Sequence, residues 1–314
     1  MAGKREPFDV VIIGAGPAGL TAALYTGRAL LTTRVIEKGI PGGQLNETDR
    51  IENWPGFEEA IGAPDLMAAL RSQVEKFGAQ IVQDEVLRIE PGDPHRVVTP
   101  QDTLETRTIV LCPGSRPREL PAEGAARLKG KGVSYCATCD GFFFREKRIV
   151  EVGAGDSGLT ESLFLTRFAE SVSIVVRHPK EHPKAIRGSA ILRRRAEEHS
   201  KIRFLWNCLV EEVLGEESVR GVRLRDLETG ETTVLDADGV FINIGHDPQT
   251  EFLRGTITLD EEGYIVTNRR LHTNVPGVFA AGDALDFAHR YAQGVVAAGE
   301  GAIAAIEAEK YVSG

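Results

Sequence analysis

The chain has 314 residues, 42% of them hydrophobic and 26% charged, which is enough for two domains with separate cores. Its formal charge of −9, from 37 basic against 46 acidic residues, argues against a partner bound through nucleic-acid phosphates. Four cysteines with one plausible pair do not make a secreted disulfide framework, and no uninterrupted apolar stretch is long enough to span a bilayer. Lys4 and Arg5 before the apolar run Val10 to Leu24 imitate a signal peptide, but Gly14, Gly16, Pro17 and Gly19 interrupt that run at meaningful spacing. A soluble, cytoplasmic protein is expected.

The first element is a strand over Asp9–Ile13, followed by Gly14-Ala15-Gly16-Pro17-Ala18-Gly19, a helix to about Arg28, and a strand over Thr33–Ile36 that ends in Glu37. This is the dinucleotide fingerprint in its full context. The glycines allow a tight turn and close approach of a pyrophosphate to a helix N-terminus, and the acid is placed to hydrogen-bond a ribose. After a strand over Thr108–Cys112, the segment Pro113-Gly114-Ser115-Arg116-Pro117-Arg118 breaks the pattern and reads as a crossing between domains. Arg127, Lys129 and Lys131 then form a small basic cluster, either a solvated face or a guide for an acidic partner.

Next comes Cys136-Ala137-Thr138-Cys139-Asp140-Gly141. Two thiols three positions apart at the start of a helix can close a small disulfide ring, and the local field favours a thiolate that attacks other disulfides. Asp140 stands ready to supply or accept a proton. Half of a zinc site and two unpaired core cysteines are the other readings. A four-cysteine zinc site needs a second pair, and Cys112 and Cys208 are isolated. No metal is expected.

A second fingerprint follows: a strand over Arg148–Val152, the loop Gly153-Ala154-Gly155-Asp156-Ser157-Gly158, a helix over Leu159–Phe168 and a strand over Ser173–Val176. The interval between the two loops is that of a domain duplication rather than a solenoid. A strand over Gly239–Ile244 ends in a second crossing, Gly245-His246-Asp247-Pro248. Gly277-Val278-Phe279-Ala280-Ala281-Gly282-Asp283 is then a short strand ending in glycine and acid, and a helix from about Gln293 to Lys310 closes the chain. The expected fold is α/β, with two Rossmann-like dinucleotide-binding domains, the second inserted into the first. The boundaries expected are residues 1–115 and 247–314 for the outer domain and 116–246 for the inserted one.

With these pieces in place the chain resembles the low-molecular-weight thioredoxin reductases over nearly its whole length. The motifs that carry the resemblance are GAGPAG at 14–19, PGGQ at 41–44, ENWPG at 52–56, CATCDGFFF at 136–144, IGHDP at 244–248, VFAAGDA at 278–284 and AAGEGAIAA at 297–305. The resemblance implies FAD in the outer domain, its pyrophosphate on Gly14, Gly16 and Gly19 and its adenosine ribose on Glu37. It further implies that Gly43, Gln44 and Asn53 approach the isoalloxazine or ribityl chain, that Asp283 holds the ribityl side and that Gln293 lies near the flavin edge. For Gln44 and Asn53, loop capping is the plainer alternative. The Cys136–Cys139 disulfide would receive two electrons from the flavin, with Cys139 facing the flavin, Cys136 attacking the partner disulfide and Asp140 handling the proton. Rotation of the inserted domain about the two crossings and a homodimer belong to the same implication.

The chain departs from the family pattern at the electron-donor site. Members that use NADPH carry His-Arg-Arg and a further arginine after the second-domain strand. Here the stretch is Val176-Arg177-His178-Pro179-Lys180-Glu181-His182, so only Arg177 survives, with Lys180 and Lys184 as substitutes. Each lost arginine costs affinity on the order of tenfold or more. Gly158 replaces the usual alanine, a harmless change by itself, while Ala292 replaces an arginine and Cys112-Pro113-Gly114 replaces Ala-Thr-Gly. Glu151 falls inside the strand leading to the second loop, where a buried carboxylate must be paired or neutralised. Gly153, Gly155, Gly158 and Arg177 are therefore the expected NADPH residues, with a ferredoxin or flavin donor as the alternative. No acid replaces the arginines to favour NADH. The leading function is reduction of thioredoxin or a thioredoxin-like protein. A dithiol oxidase running the same groups backwards, and a redox sensor without turnover, are the competing classes.

Overall fold

The computed structural model describes residues 6–47, 50–287 and 291–314, so Lys4 and Arg5 lie outside the described residues. The chain divides into two compact units, residues 1–116 with 247–314, and residues 117–246.

In the first unit, parallel strands Gln80–Gln83, Thr33–Glu37, Phe8–Ile13 and Thr103–Leu111 lie side by side in that order. Val278–Ala280 adds to Thr103–Leu111 in parallel, pairing Val278 with Ile109. Val10, Val11 and Ile12 are fully buried, the run of apolar residues expected of a parallel strand covered on both faces. Thr103–Leu111 begins five residues earlier than the sequence pattern indicates, because Thr103 to Thr106 pair antiparallel with His95–Val98. The helix Pro17–Arg28 starts with proline at N1, where the missing N–H costs nothing. It lies against the last helix, Gly294–Ser313, at a point where a Cβ on Gly301 would fall 2.1 Å from the Ala18 carbonyl oxygen.

The second unit is built on five parallel strands in the order Val133–Ser134, Gly239–Ile242, Arg148–Val152, Ser171–Val175, Ile202–Leu205. An antiparallel sheet of Cys208–Leu214, Gly221–Asp226 and Thr232–Asp236 accompanies it. One apolar layer joins Val150, Val152 and Val240 to Val210, Val213 and Val222 of the antiparallel sheet. The other joins Ile149, Ile174 and Phe241 to Leu159 and Leu165. The helix expected over Leu159–Phe168 occupies Asp156–Leu165 instead. It starts directly at the glycine loop, with Gly155 as N-cap, and ends where the Thr166 hydroxyl donates to the Leu163 carbonyl. The next strand is Ser171–Val175, and Gly239–Ile242 stops two residues before Ile244.

Candidate functional site: a redox disulfide and two glycine loops

Cys136 and Cys139 form a disulfide with an S–S distance of 2.03 Å and Cα atoms 5.4 Å apart. The segment Ala137–Asp140 makes one helical turn with Cys136 as its N-cap in extended conformation. The N–H of Cys139, a helix-terminal donor without an intrahelical partner, donates to Cys136 Sγ at 3.1 Å. That donor favours negative charge on Cys136 once the disulfide opens. Ser134 organises the surroundings: its hydroxyl donates to Asp140 Oδ2 at 2.6 Å and accepts from the Cys136 N–H at 3.1 Å. Asp140 is thereby fixed beside the turn that carries both sulfurs. Phe142 and Phe143, two and three positions further on, are 62% and 71% exposed, an apolar surface next to the redox pair.

The other two cysteines are buried and free. Burial pushes the Cys112 thiol far up, with a further push from Glu300, and burial raises Cys208 to about 11. Both are inert at neutral pH. Among the described residues no group of three or more His, Cys, Asp or Glu side chains is placed to hold a metal. Among them, too, no helix is long and apolar enough to cross a membrane.

The residues expected to hold FAD all lie in the first unit, and contacts link most of them around the first loop. Gly14 turns at φ +100°, and a Cβ there would stand 2.0 Å from the Cys112 carbonyl oxygen. A Cβ on Gly19 would stand 1.9 Å from the Gly14 carbonyl oxygen. Gly16 is open except toward Gly43, whose Cα lies 3.9 Å from an added Cβ, so the two glycines face each other. Glu37 Oε2 accepts the Ala15 N–H at 2.7 Å and Oε1 accepts the Gly39 N–H at 2.8 Å, which ties the acid to the loop it follows. Gln44 donates to the Ser115 hydroxyl at 2.8 Å, and Asn53 donates to Gln293 Oε1 at 2.8 Å. Gln44 is thus tied to Ser115, 71 positions away, and Asn53 and Gln293 are neighbours although 240 positions apart. Asp283 follows the last short strand, and burial alone raises its carboxyl. Glu300, on the closing helix, accepts the Gly282 N–H at 2.8 Å. Burial raises Glu300 to about 7; the Gly282 bond opposes this and Asp283 adds to it.

These features fit FAD: side-chain-free approach at Gly16 and Gly43, helix N-terminal amides for a pyrophosphate, and a carboxyl in a dry setting that a ribityl hydroxyl would satisfy. Glu300 and Ser115 complete that neighbourhood and were not singled out from the sequence. Glu300 sits inside the AAGEGAIAA motif, whose small residues mark a close helix contact but give no hint of a buried acid.

The second loop repeats the first closely. Gly153 turns at φ +119° with its added Cβ 2.0 Å from the Asn243 carbonyl oxygen, and Gly155 has nothing within 4 Å. Gly158 is not interchangeable with alanine here: an added Cβ would lie 2.5 Å from the Gly153 carbonyl oxygen and 3.3 Å from Glu151 Oε1. Arg177 is exposed after the strand Ser171–Val175, on a segment that returns to the loop. The N–H groups of Arg187 and Gly188 both donate to the Ala154 carbonyl, at 2.9 and 3.2 Å. His178 and His182 stack with centroids 4.2 Å apart and planes 8° from parallel. His178 is held below its ordinary value by burial first, then by His182, Arg177, Arg187 and Lys184, so several cationic groups gather beside this loop. Arg187 was missed from the sequence. Its signal was the basic composition of the whole stretch from Arg177 to Arg187, not the strand end alone.

Residues 8–301 match the family model described as pyridine nucleotide-disulphide oxidoreductase. The chain is 45% identical to the thioredoxin reductase of Mycolicibacterium smegmatis over 315 aligned positions, covering 100% of this chain and 99% of the relative. It is 44% identical to that of Listeria monocytogenes, covering 99% and 96%. The crystal structure of Lactococcus lactis thioredoxin reductase superposes with a TM-score of 0.93 at 40% identity, over 98% of this chain and 99% of that one. On its sequence, its fold and its disulfide, the chain belongs to the thioredoxin reductase family of pyridine nucleotide-disulphide oxidoreductases.

Proposed function

We propose that the protein reduces the disulfide of thioredoxin or a thioredoxin-like protein, with FAD held in the first unit and NADPH at the second loop. The observation that carries the reading is the Cys136–Cys139 disulfide at a helix N-terminus, with Asp140 hydrogen-bonded beside it. FAD, when bound, supplies a two-electron relay between the nicotinamide and this disulfide.

In the dithiol state, Cys136 as thiolate attacks one sulfur of the partner disulfide. A mixed disulfide forms, and the partner's other sulfur leaves and takes a proton from Asp140. Cys139 then gives up its proton, attacks Cys136 Sγ and releases the second partner thiol, so the Cys136–Cys139 disulfide is restored and the partner gains two electrons and two protons. The donor bond from the Cys139 N–H supports Cys136 as the attacking sulfur, since it lowers the cost of charge there. Exposed Phe142 and Phe143 offer an apolar landing surface for the partner.

NADPH as donor is supported by the cationic side chains gathered around His178, which suit a 2′-phosphate. Cytoplasmic location and a homodimer come from the family likeness, and light scattering on the purified holoprotein checks the dimer. Anaerobic titration of the oxidised protein checks the donor: NADPH at micromolar concentration bleaches the flavin absorption. Failure of NADPH and NADH alike, with dithionite effective, would instead assign the donor role to a ferredoxin or a flavin. Cys139→Ser traps thioredoxin as a mixed disulfide on Cys136, and Cys136→Ser traps none while keeping its flavin; the reverse pattern would overturn the assigned roles. Oxygen consumption driven by a dithiol substrate at the rate of disulfide reduction would replace the reductase with a dithiol oxidase.

A further inference from the structure

Ser134 ends the short edge strand Val133–Ser134, which pairs in parallel with Gly239–Ile242 and sets Ser134 beside Phe241. Both residues of the strand are buried, so the sheet, and not the loop that follows, fixes where the hydroxyl lies. Two residues on, the chain enters the turn Ala137–Asp140, in which the Asp140 N–H donates to the Cys136 carbonyl at 3.1 Å. Sheet and turn meet at one oxygen. Ser134 Oγ accepts the Cys136 N–H at 3.1 Å and lies 2.6 Å from Asp140 Oδ2 and 3.3 Å from the Cys136 carbonyl oxygen.

A hydroxyl has a single proton to donate. The carboxyl oxygen at 2.6 Å takes it ahead of the carbonyl at 3.3 Å, because a bond to an ionised acceptor is shorter and roughly twice as strong. Oδ2 accepts that proton whether the carboxyl is ionised or protonated on its other oxygen. The bond engages Oδ2 and leaves Oδ1 outside it.

We propose that Ser134 is a positioning residue for the thiol–disulfide exchange: its hydroxyl holds Asp140 by Oδ2 beside the turn that carries both cysteines, so that Oδ1 carries the proton. The inference rests on the reading of Asp140 as the proton carrier. When the partner's first sulfur leaves, the Oδ1–H bond breaks as the partner's S–H bond forms. Cys139 next gives its proton to Oδ1 and attacks Cys136 Sγ. Oδ1 passes that proton to the second partner sulfur as the mixed disulfide breaks. Asp140 ends ionised beside the restored Cys136–Cys139 disulfide, the state in which the bond from Ser134 is charge-assisted. A carboxyl held at one oxygen keeps the other in place through both transfers, whereas one free to rotate has to be recaptured at each.

The test is single-turnover transfer from the dithionite-reduced holoprotein to oxidised thioredoxin, which does not depend on the physiological electron donor. Ser134→Ala is expected to slow the limiting rate about tenfold, the worth of one charge-assisted bond. The half-saturating thioredoxin concentration stays unchanged, and the solvent deuterium isotope effect grows. Ser134→Thr, which keeps the hydroxyl, recovers the rate. If Ser134→Ala does not fold, Ser134→Val replaces it against Ser134→Thr, since those two differ chiefly in the hydroxyl. Added to Asp140→Asn, loss of the Ser134 hydroxyl costs nothing further. Infrared difference spectra on reduction supply a readout that a merely structural role would not move. The wild type gains a protonated-carboxyl C=O band that Asp140→Asn lacks, and loss of the Ser134 hydroxyl moves that band to higher frequency. A full limiting rate without the hydroxyl, a loss confined to half-saturation, a further tenfold loss on top of Asp140→Asn, or a band that stays in place overturns the role of Ser134. A wild type without the band, with Asp140→Asn at full rate, overturns Asp140 as the proton carrier, and Ser134 with it.

Discussion

The two glycine loops have the same backbone plan and opposite electrostatics. In each, the first glycine turns with positive φ against the carbonyl of a neighbouring strand end, Cys112 in one and Asn243 in the other, and the middle glycine is open. At the first loop an acid at the end of the next strand, Glu37, accepts the Ala15 N–H. At the second loop that strand end leads into Arg177 and the stacked histidines, and the acid lies underneath, as buried Glu151. Loop geometry thus comes from the duplicated backbone, while ligand preference comes from where the charges are put. A carboxylate beyond the strand end meets a ribose hydroxyl; cations there meet a phosphate.

Gly19→Ala tests the shared backbone plan most severely. Its Cβ would meet the Gly14 carbonyl oxygen at 1.9 Å, against 2.5 Å for the equivalent contact of Gly158→Ala. Backbone cannot yield as a side chain can, so Gly19→Ala is expected to cost about 3 kcal/mol and to purify largely free of flavin. Gly158→Ala is expected to keep its flavin and lose about 1 kcal/mol. Urea unfolding and the flavin-to-protein absorbance ratio check both, and equal losses would break the ranking.

A smaller effect distinguishes the buried acids. Glu300 is raised to about 7 by burial, with Asp283 adding to it. A carboxyl raised in the folded state contributes stability that is fully present below its unfolded value and is lost as pH rises through the folded one. Wild type relative to Glu300→Gln is therefore expected to lose about 2 kcal/mol between acidic and mildly alkaline pH. Thermal unfolding across that window measures it, and parallel curves would show that Glu300 does not titrate there.

Much of this was legible in the sequence. Both strand–loop–helix units stand where the glycine spacing placed them, and Cys136 and Cys139 are joined as their spacing allowed. Element ends were less legible, because they depend on partners distant in sequence: Thr103–Leu111 is lengthened by the hairpin it forms with His95–Val98. Polar networks were least legible. Glu151 was visible as an acid in an apolar strand, but its amide donor is 92 positions away at Asn243, itself a polar residue ending an apolar strand. A polar residue inside one apolar strand and another directly after the parallel strand Gly239–Ile242 beside it are a readable sign once the strands are known to pair.

The smallest expected effect sharpens the contrast between the loops. Arg187 is pinned to the second loop through its N–H bond to Ala154, while its side chain is exposed among the cations around His178. Removing the guanidinium leaves that backbone bond intact, so Arg187→Ala should fold and hold flavin as the wild type does. If the side chain grips a 2′-phosphate, the Kd for NADPH rises about tenfold, the worth of one charge-assisted bond, while that for NADH is unchanged. Arg177→Ala should show the same selectivity, and the double variant the larger loss. Equal weakening toward both nucleotides would place these arginines on the shared pyrophosphate. The second loop would then differ from the first in the acid beneath it and not in the cations beyond it.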